Sequence, residues 1–362
     1  MEMMPKERIL ACIKGEKTDR LAFSPFLAYW WEAQPKALQN RGQLAFLEEM
    51  GADPMLRGFY FITNAIYRDV EQRVWVDGKF QHHVMETPVG SLETIYTYAE
   101  GSNTWFLTGH PVKNEEDLKT LIYIMEHAAA EYAPDYKSHE EEFLKTGDRA
   151  LIMPLVNPFG KTPFQTLVET WMGTEELVFA LADYPELVEE CLFAMNRVSD
   201  EGVRKAAEAF PESFIFWEDS STTNISPAYF EKYVGPVITN WANILHQNDK
   251  LLIHHACGHI KDLLPFMAKT GVDMIESVSP PPTGNVELWE AKAVLPPEIG
   301  LIGGIEPTVL LNSGMDALLV YTQNLIGKMR GGRYVLANSD SCPPGVEKEK
   351  FFALANLVKG IK

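Results

Sequence analysis

Leu251-Leu252-Ile253-His254-His255-Ala256-Cys257-Gly258-His259 opens with an apolar run of strand character and breaks at a glycine turn. The amphipathic segment Ile260–Thr270 follows, and Met274–Glu276 is a second short apolar run. A strand, a helix-length segment and another strand make a βαβ unit, in which the two strands lie parallel.

The same rhythm extends in both directions. Leu151–Val156, Phe214–Trp217, Leu301–Gly303 and Tyr334–Ala337 are further short apolar runs, and Thr174–Ala182, Pro185–Phe210 and Pro227–Gln247 are helix-length segments between runs of this kind. With Leu21–Phe26 as a buried strand near the start, the strands approach eight in number. The pattern predicts an α/β fold, a (β/α)8 TIM barrel with an N-terminal helical segment at Lys6–Lys14. A β-hairpin excursion is expected over Arg73–Tyr98, where Asp77-Gly78 and Pro88–Gly90 are turn signals. A doubly wound sheet competes with the barrel, but no G-x-G-x-x-G follows any of these runs. With no repeat of solenoid period and no low-complexity linker, a single domain over 1–362 is expected.

Composition narrows the function. The 362 residues are 46% hydrophobic and carry a formal net charge of −18, so a core is affordable and nucleic acid or an anionic membrane would be repelled. A small molecule or a basic protein patch suits the charge better. The four cysteines, Cys12, Cys191, Cys257 and Cys342, read as thiols in a chain long enough not to need staples. The N-terminal stretch lacks the apolar core of a signal peptide, and no later run reaches membrane-span length, so a cytoplasmic protein is expected.

Polar punctuation falls just past the runs, at Asn157, Glu218-Asp219, His255–Cys257, Glu276 and Asn338–Cys342. In a barrel those positions gather at the C-terminal face, where catalytic groups sit. His-x-Cys at a strand end places an imidazole and a thiol on one side, as a shared metal needs. Cys342 ends the last run and would be brought alongside by barrel closure. Thiolates with imidazole select zinc, and three such ligands leave one position open. The plainer reading is packed core, since cysteine is among the most buried residue types.

Several segments resemble the uroporphyrinogen decarboxylase superfamily, in its zinc-containing, corrinoid-dependent methyltransferase branch. They are Pro5-Lys6-Glu7-Arg8, Thr87-Pro88-Val89-Gly90-Ser91-Leu92, Asn224-Ile225-Ser226-Pro227, His255-x-Cys257-Gly258, Gly303-Gly304-Ile305-Glu306-Pro307 and Cys342-Pro343-Pro344-Gly345-Val346. The resemblance implies zinc ligands at His255, Cys257 and Cys342. The decarboxylases themselves carry an Arg-Gln-Ala-Gly-Arg motif after the first strand, where this chain reads Ser24-Pro25-Phe26-Leu27-Ala28-Tyr29-Trp30-Trp31. Without those arginines a decarboxylase-like, metal-free lyase becomes the alternative.

The implied activity moves a methyl group between a small substrate and the cobalt of a corrinoid. Two directions stay open: a zinc-bound thiol that accepts the methyl group, or a methyl ether that gives it up. No Asp-x-His-x-x-Gly segment of the kind that ligates cobalt occurs, so the corrinoid (cobalamin) is expected on a partner protein. The other expected partner is the small-molecule methyl donor or acceptor, and a homodimer is one assembly open to the chain.

Remaining site candidates carry paired readings. Glu276 is either a fourth, departing zinc ligand or a strand-end carboxylate bonded to a neighbouring loop. Glu218 and Asp219 are either a proton-handling pair or a solvated loop. Tyr29, Trp30, Trp31, Phe59, Tyr60 and Trp217 suit a flat or methoxylated substrate, although aromatic runs more often serve as core packing. Asn157, Asn338 and Asp340 complete the candidates as polar substrate contacts. A zinc-bearing binding protein without turnover is a third class, which methyl exchange with free methylcobalamin or cob(I)alamin would eliminate.

Overall fold

The structure, a computed structural model, describes residues 2–100 and 104–361, with Phe59 described by its backbone alone. Its strands in chain order are β1 (Ala22–Phe23), β2 (Met55–Phe61), β3 (Thr63–Tyr67), β4 (Glu71–Asp77), β5 (Phe80–Thr87), β6 (Gly90–Ala99), β7 (Thr104–Gly109), β8 (Ala128–Tyr132), β9 (Leu151–Leu155), β10 (Ser213–Glu218), β11 (Leu251–Ala256), β12 (Met274–Val278), β13 (Gly300–Ile305) and β14 (Tyr334–Asn338). The chain forms two compact units: Met1–Tyr60, Pro134–Leu155 and Ala207–Lys362 make the first, Phe61–Ala133 and Val156–Ala206 the second.

The first unit is the barrel. Its eight strands follow the order β1-β14-β13-β12-β11-β10-β9-β2, and the pairs from β9 through β14 to β1 are parallel. The two ends of that order meet where Asp53 N–H donates to Phe23 O at 2.7 Å and Met55 N–H to Ser24 Oγ at 3.1 Å. The apolar runs at 151, 214, 251, 274, 301 and 334 are all strands, each within two residues of its expected bounds. β1 is shorter than the expected Leu21–Phe26 because Pro25 has no N–H to continue the ladder.

Alternating residues fill the interior: Met55, Leu151, Met153, Leu155, Ile215, Ile253, Met274, Ile302, Val335 and Ala337. The helix Pro5–Lys14 adds Ile9, Cys12 and Ile13 to the same cluster. It lies at the N-terminal ends of the strands, since Cys12 Sγ donates to Tyr334 O at 3.1 Å and Arg8 pairs with Asp53 just before β2. Asp53 also accepts from Arg20 at 2.7 Å and from Phe23 N–H at 3.0 Å, so the buried carboxylate of the floor is fully engaged.

The second unit holds an antiparallel meander, β4-β5-β6-β7, and a β3-β8 pair. The expected turn signals fall at the β4–β5 and β5–β6 turns, and β7 extends the excursion to four strands. All four cysteines are free, and among the described residues no helix is long and apolar enough to cross a membrane.

Candidate metal centre

Strand alternation decides which side chains share the barrel interior. Trp217, His255 and Glu276 are in-register neighbours on β10, β11 and β12. The residues two places earlier, Ile215, Ile253 and Met274, are core, so the period of two turns this trio inward as well. Arg57 stands two residues beyond the interior Met55 on β2. An indole, an imidazole, a carboxylate and a guanidinium thus approach the C-terminal ends of the barrel strands, the end that carries chemistry in this fold.

Glu276 joins two of them. One carboxylate oxygen pairs with Arg57 Nε and the other accepts from His255 Nδ1–H at 3.0 Å. Arg57 further donates to the carbonyls of Ser24 at 3.0 Å and Met55 at 3.3 Å, and lies 5.3 Å over the Phe26 ring. Burial opposes the ionised Glu276, but Arg57 and His255 outweigh it and hold the carboxyl below its usual range. A carboxylate behind one ring nitrogen sets the tautomer and aims the other nitrogen outward.

That outward nitrogen, His255 Nε2, lies 4.0 Å from Asp340 Oδ1. His255, Cys257 and Asp340 each offer one ligand atom, all within 4.8 Å of one another. Gly258 makes the turn after Cys257: its φ is +86°, and a Cβ there would lie 2.6 Å from Ser221 Cβ and 2.9 Å from Asp219 Oδ1. Only glycine combines that backbone with that clearance. Cys257 N–H donates to Glu218 O at 3.3 Å, which ties the turn to the end of β10.

Burial depresses a histidine, yet the hydrogen bonds that His255 donates to Cys257 and Glu276 carry it up to about 10. Burial pushes the Cys257 thiol up, and His255 offsets only part of that. A metal arriving here must therefore displace protons. Burial also pushes up the thiol of Cys342.

Cys342 stands outside the close group: its thiol lies 3.7 Å from Pro343 O. Its backbone is nonetheless stitched to the site, with its N–H on Phe26 O at 3.1 Å and its carbonyl accepting from Trp30 N–H at 2.9 Å. Asn338 reinforces the stitch. Its Oδ1 accepts from Phe26 N–H at 2.9 Å, and its Nδ2 donates to Phe26 O at 2.8 Å and Asp340 O at 2.5 Å. The amide expected to touch substrate thus engages backbone, holding residues 338–342 against Phe26. The Phe26 ring meets the His255 ring edge-on at 5.9 Å, and Trp217 stands 6.2 Å from the same imidazole.

Of the other candidates, Asp219 stands beside the metal turn, where its charge helps to raise the Cys257 thiol after burial, and the rest stand outside the close group. Glu218 follows the inward Trp217 and so faces away from the interior, with its carboxylate 3.5 Å from Ser220 Oγ and 3.8 Å from His254 Nε2. His254 stacks on Phe216 at 4.4 Å, and complete burial depresses it to about 3, which keeps it neutral. Asp219 accepts from Asn224 Nδ2 at 2.6 Å. Tyr29, on the helix Ala28–Glu32, is 61% exposed. Asn157 belongs to the second unit, where it caps its own turn by accepting from Phe159 N–H at 2.8 Å and Gly160 N–H at 2.9 Å.

Arg57 and Phe26 escaped the reading of the sequence. A signal for Arg57 exists, a cation inside the otherwise apolar Met55-Leu56-Arg57-Gly58-Phe59, but it names no partner.

A family model described as uroporphyrinogen decarboxylase (URO-D) matches residues 158–361. Two curated proteins named uroporphyrinogen decarboxylase are similar: one from Trichlorobacter lovleyi, 28% identical over 167 residues, 44% of this chain and 46% of its own length. The other, from Synechococcus sp., is 29% identical over 145 residues, 40% of this chain and 39% of its own length. The matched stretch thus spans less than half the length of these relatives. A solved methyltransferase from Methanosarcina mazei covers 98% of both chains with a TM-score of 0.63 at 16% identity, a likeness of fold.

Proposed function

The chain belongs to the uroporphyrinogen decarboxylase family, and from that premise we propose that it is a zinc-dependent methyltransferase. It moves a methyl group between a small substrate, a thiol or a methyl ether, and the cobalt of a corrinoid carried by a partner protein. The observation that carries this reading is the group His255, Cys257 and Asp340, with Cys342 two residues further on the same segment. The likeness of fold to a solved methyltransferase supports it.

The donor set fits the metal: imidazole and thiolate are the ligands zinc prefers, and the carboxylate behind His255 is the usual orienting partner. His255 Nε2, Cys257 and Cys342 would hold it. When bound, zinc supplies Lewis acidity, which lowers the pKa of a coordinated thiol or polarises an ether oxygen. The protein's own groups do the rest. Glu276 and Arg57 fix the imidazole, and Asn338 holds the 338–342 segment against Phe26. Phe26 and Trp217 place apolar surface beside His255, which keeps water from that side of the imidazole.

Elemental analysis of protein purified without added zinc, joined to a methyl-transfer assay with free methylcobalamin and thiols or cob(I)alamin and methyl ethers, tests the reading. About one zinc per chain, lost in Cys257→Ala together with methyl transfer, is expected. Wild type that neither contains nor reloads zinc overturns it in favour of the second reading, a decarboxylase-like lyase, which the names of the curated relatives favour.

A further inference from the structure

We infer that Asp340, not Glu276, is the carboxylate that closes the metal site at rest and leaves it when substrate arrives; this rests on the zinc reading above. Glu276 has no freedom to do so. Both of its oxygens are engaged, one by Arg57 and one by His255 Nδ1–H at 3.0 Å, and its side chain is 2% exposed. Were it to swing to a metal, Arg57, 1% exposed, would lose its only ion-pair partner among the described residues, and the imidazole would lose its orienting acceptor.

Asp340 is held far less: its Oδ1 accepts from Ser341 N–H at 2.6 Å, and its Oδ2 has no hydrogen-bond partner among the described residues. Its Oδ1 lies 4.0 Å from His255 Nε2, and it belongs to the close group with Cys257. Its side chain is 34% exposed, so a displaced carboxylate is received by water rather than by a dry interior. Asn338 and Cys342 on either side are tied to Phe26, at 2.8 Å and 3.1 Å, so the exchange needs a side-chain rotation and not a loop movement. Arg57 is thus a positioning residue: it holds Glu276 behind the imidazole and leaves the vacancy to Asp340.

The test uses zinc- and Co(II)-loaded full-length protein as wild type, Asp340→Ala, Asp340→Asn, Glu276→Gln and Arg57→Gln. Metal affinity is read by competition with a chromophoric chelator. Affinity for 2-mercaptoethanol is read from the thiolate-to-Co(II) charge-transfer band, and circular dichroism checks folding. Both Asp340 variants should bind 2-mercaptoethanol several-fold more tightly than wild type, because a competing ligand has been removed. Glu276→Gln and Arg57→Gln should lose metal affinity on the order of 10–100-fold with the thiol affinity of the loaded site unchanged. Thiol affinity unchanged in both Asp340 variants, or raised in Glu276→Gln instead, overturns the assignment while leaving the zinc reading standing. Wild type that binds no zinc overturns both. The isosteric Asp340→Asn keeps the test valid if Asp340→Ala fails to fold.

Discussion

The indole of Trp217 occupies the space that a side chain at position 58 would need. An ideal Cβ on Gly58 would lie 2.2 Å from Trp217 Cζ2, and the backbone there has φ +64°. Gly58→Ala therefore meets two penalties, about 1–3 kcal/mol for overpacking and a further ~1 kcal/mol for the left-handed backbone. Urea denaturation should show that loss, and Trp217→Phe in the same chain should restore the overpacking part. An equal loss with and without Trp217→Phe would place the whole cost in the backbone.

Ser277 sits at φ +78° where the β12–β13 register shifts between Glu276 and Val278, and its hydroxyl is buried with no hydrogen-bond partner among the described residues. A non-glycine residue held at that φ is strained, at a cost of about 1–3 kcal/mol. Ser277→Gly should leave the midpoint of thermal unfolding unchanged or raised, whereas the β-branched Ser277→Val should lower stability by about 2 kcal/mol. Equal stabilities for the two variants would refute the strain argument.

Asn338 makes three hydrogen bonds across the segment that carries Asp340 and Cys342, two of them to Phe26. Asn338→Ala takes the side-chain partner from Phe26 N–H and Asp340 O, while Phe26 O keeps Cys342 N–H, and should cost about 1–3 kcal/mol. It should also weaken zinc binding, measured by chelator competition, because residues 338–342 are then held to Phe26 by the Cys342 N–H bond alone.

Metal uptake should release protons. Burial lowers His255 but Cys257 and Glu276 more than offset it, and burial raises Cys257, so the pair holds at least one proton near neutrality. Calorimetric zinc titrations in buffers of different ionisation enthalpy should give between one and about three protons released, and zinc affinity should rise with pH. A chelator should lower the thermal midpoint of loaded protein in proportion to the affinity lost.

His246 Nε2 meets Asp273 Oδ2 at 3.0 Å, and that hydrogen bond, against partial burial, raises the histidine above its ordinary 6.5. The fold holds this proton more tightly than the unfolded chain does. The pair's contribution is complete below the unfolded value of 6.5 and is lost as pH rises through the raised one. At a half-exposed site it is worth under about 1 kcal/mol. An NMR titration of the imidazole should show an inflection above 6.5 that returns towards it in Asp273→Asn.

The sequence alone located seven of the eight barrel strands, because short apolar runs separated by helix-length segments are a matter of local periodicity, whereas β2, which carries Arg57, gave no such run. It also pointed to His255 and Cys257 sharing one side of a chain end, which holds although β11 stops at Ala256, because their ligand atoms come within 4.8 Å. Glu218 shows the limit of that logic. It follows a strand as the other site residues do, yet faces His254 and Ser220, because one step of register exchanges the interior for the outer face. Tertiary structure alone decided the partners of Glu276, since Arg57 lies on a strand 219 residues away and no local pattern links them. It alone showed Asp340 rather than Cys342 beside the imidazole, a matter of side-chain direction within one short segment held by Asn338.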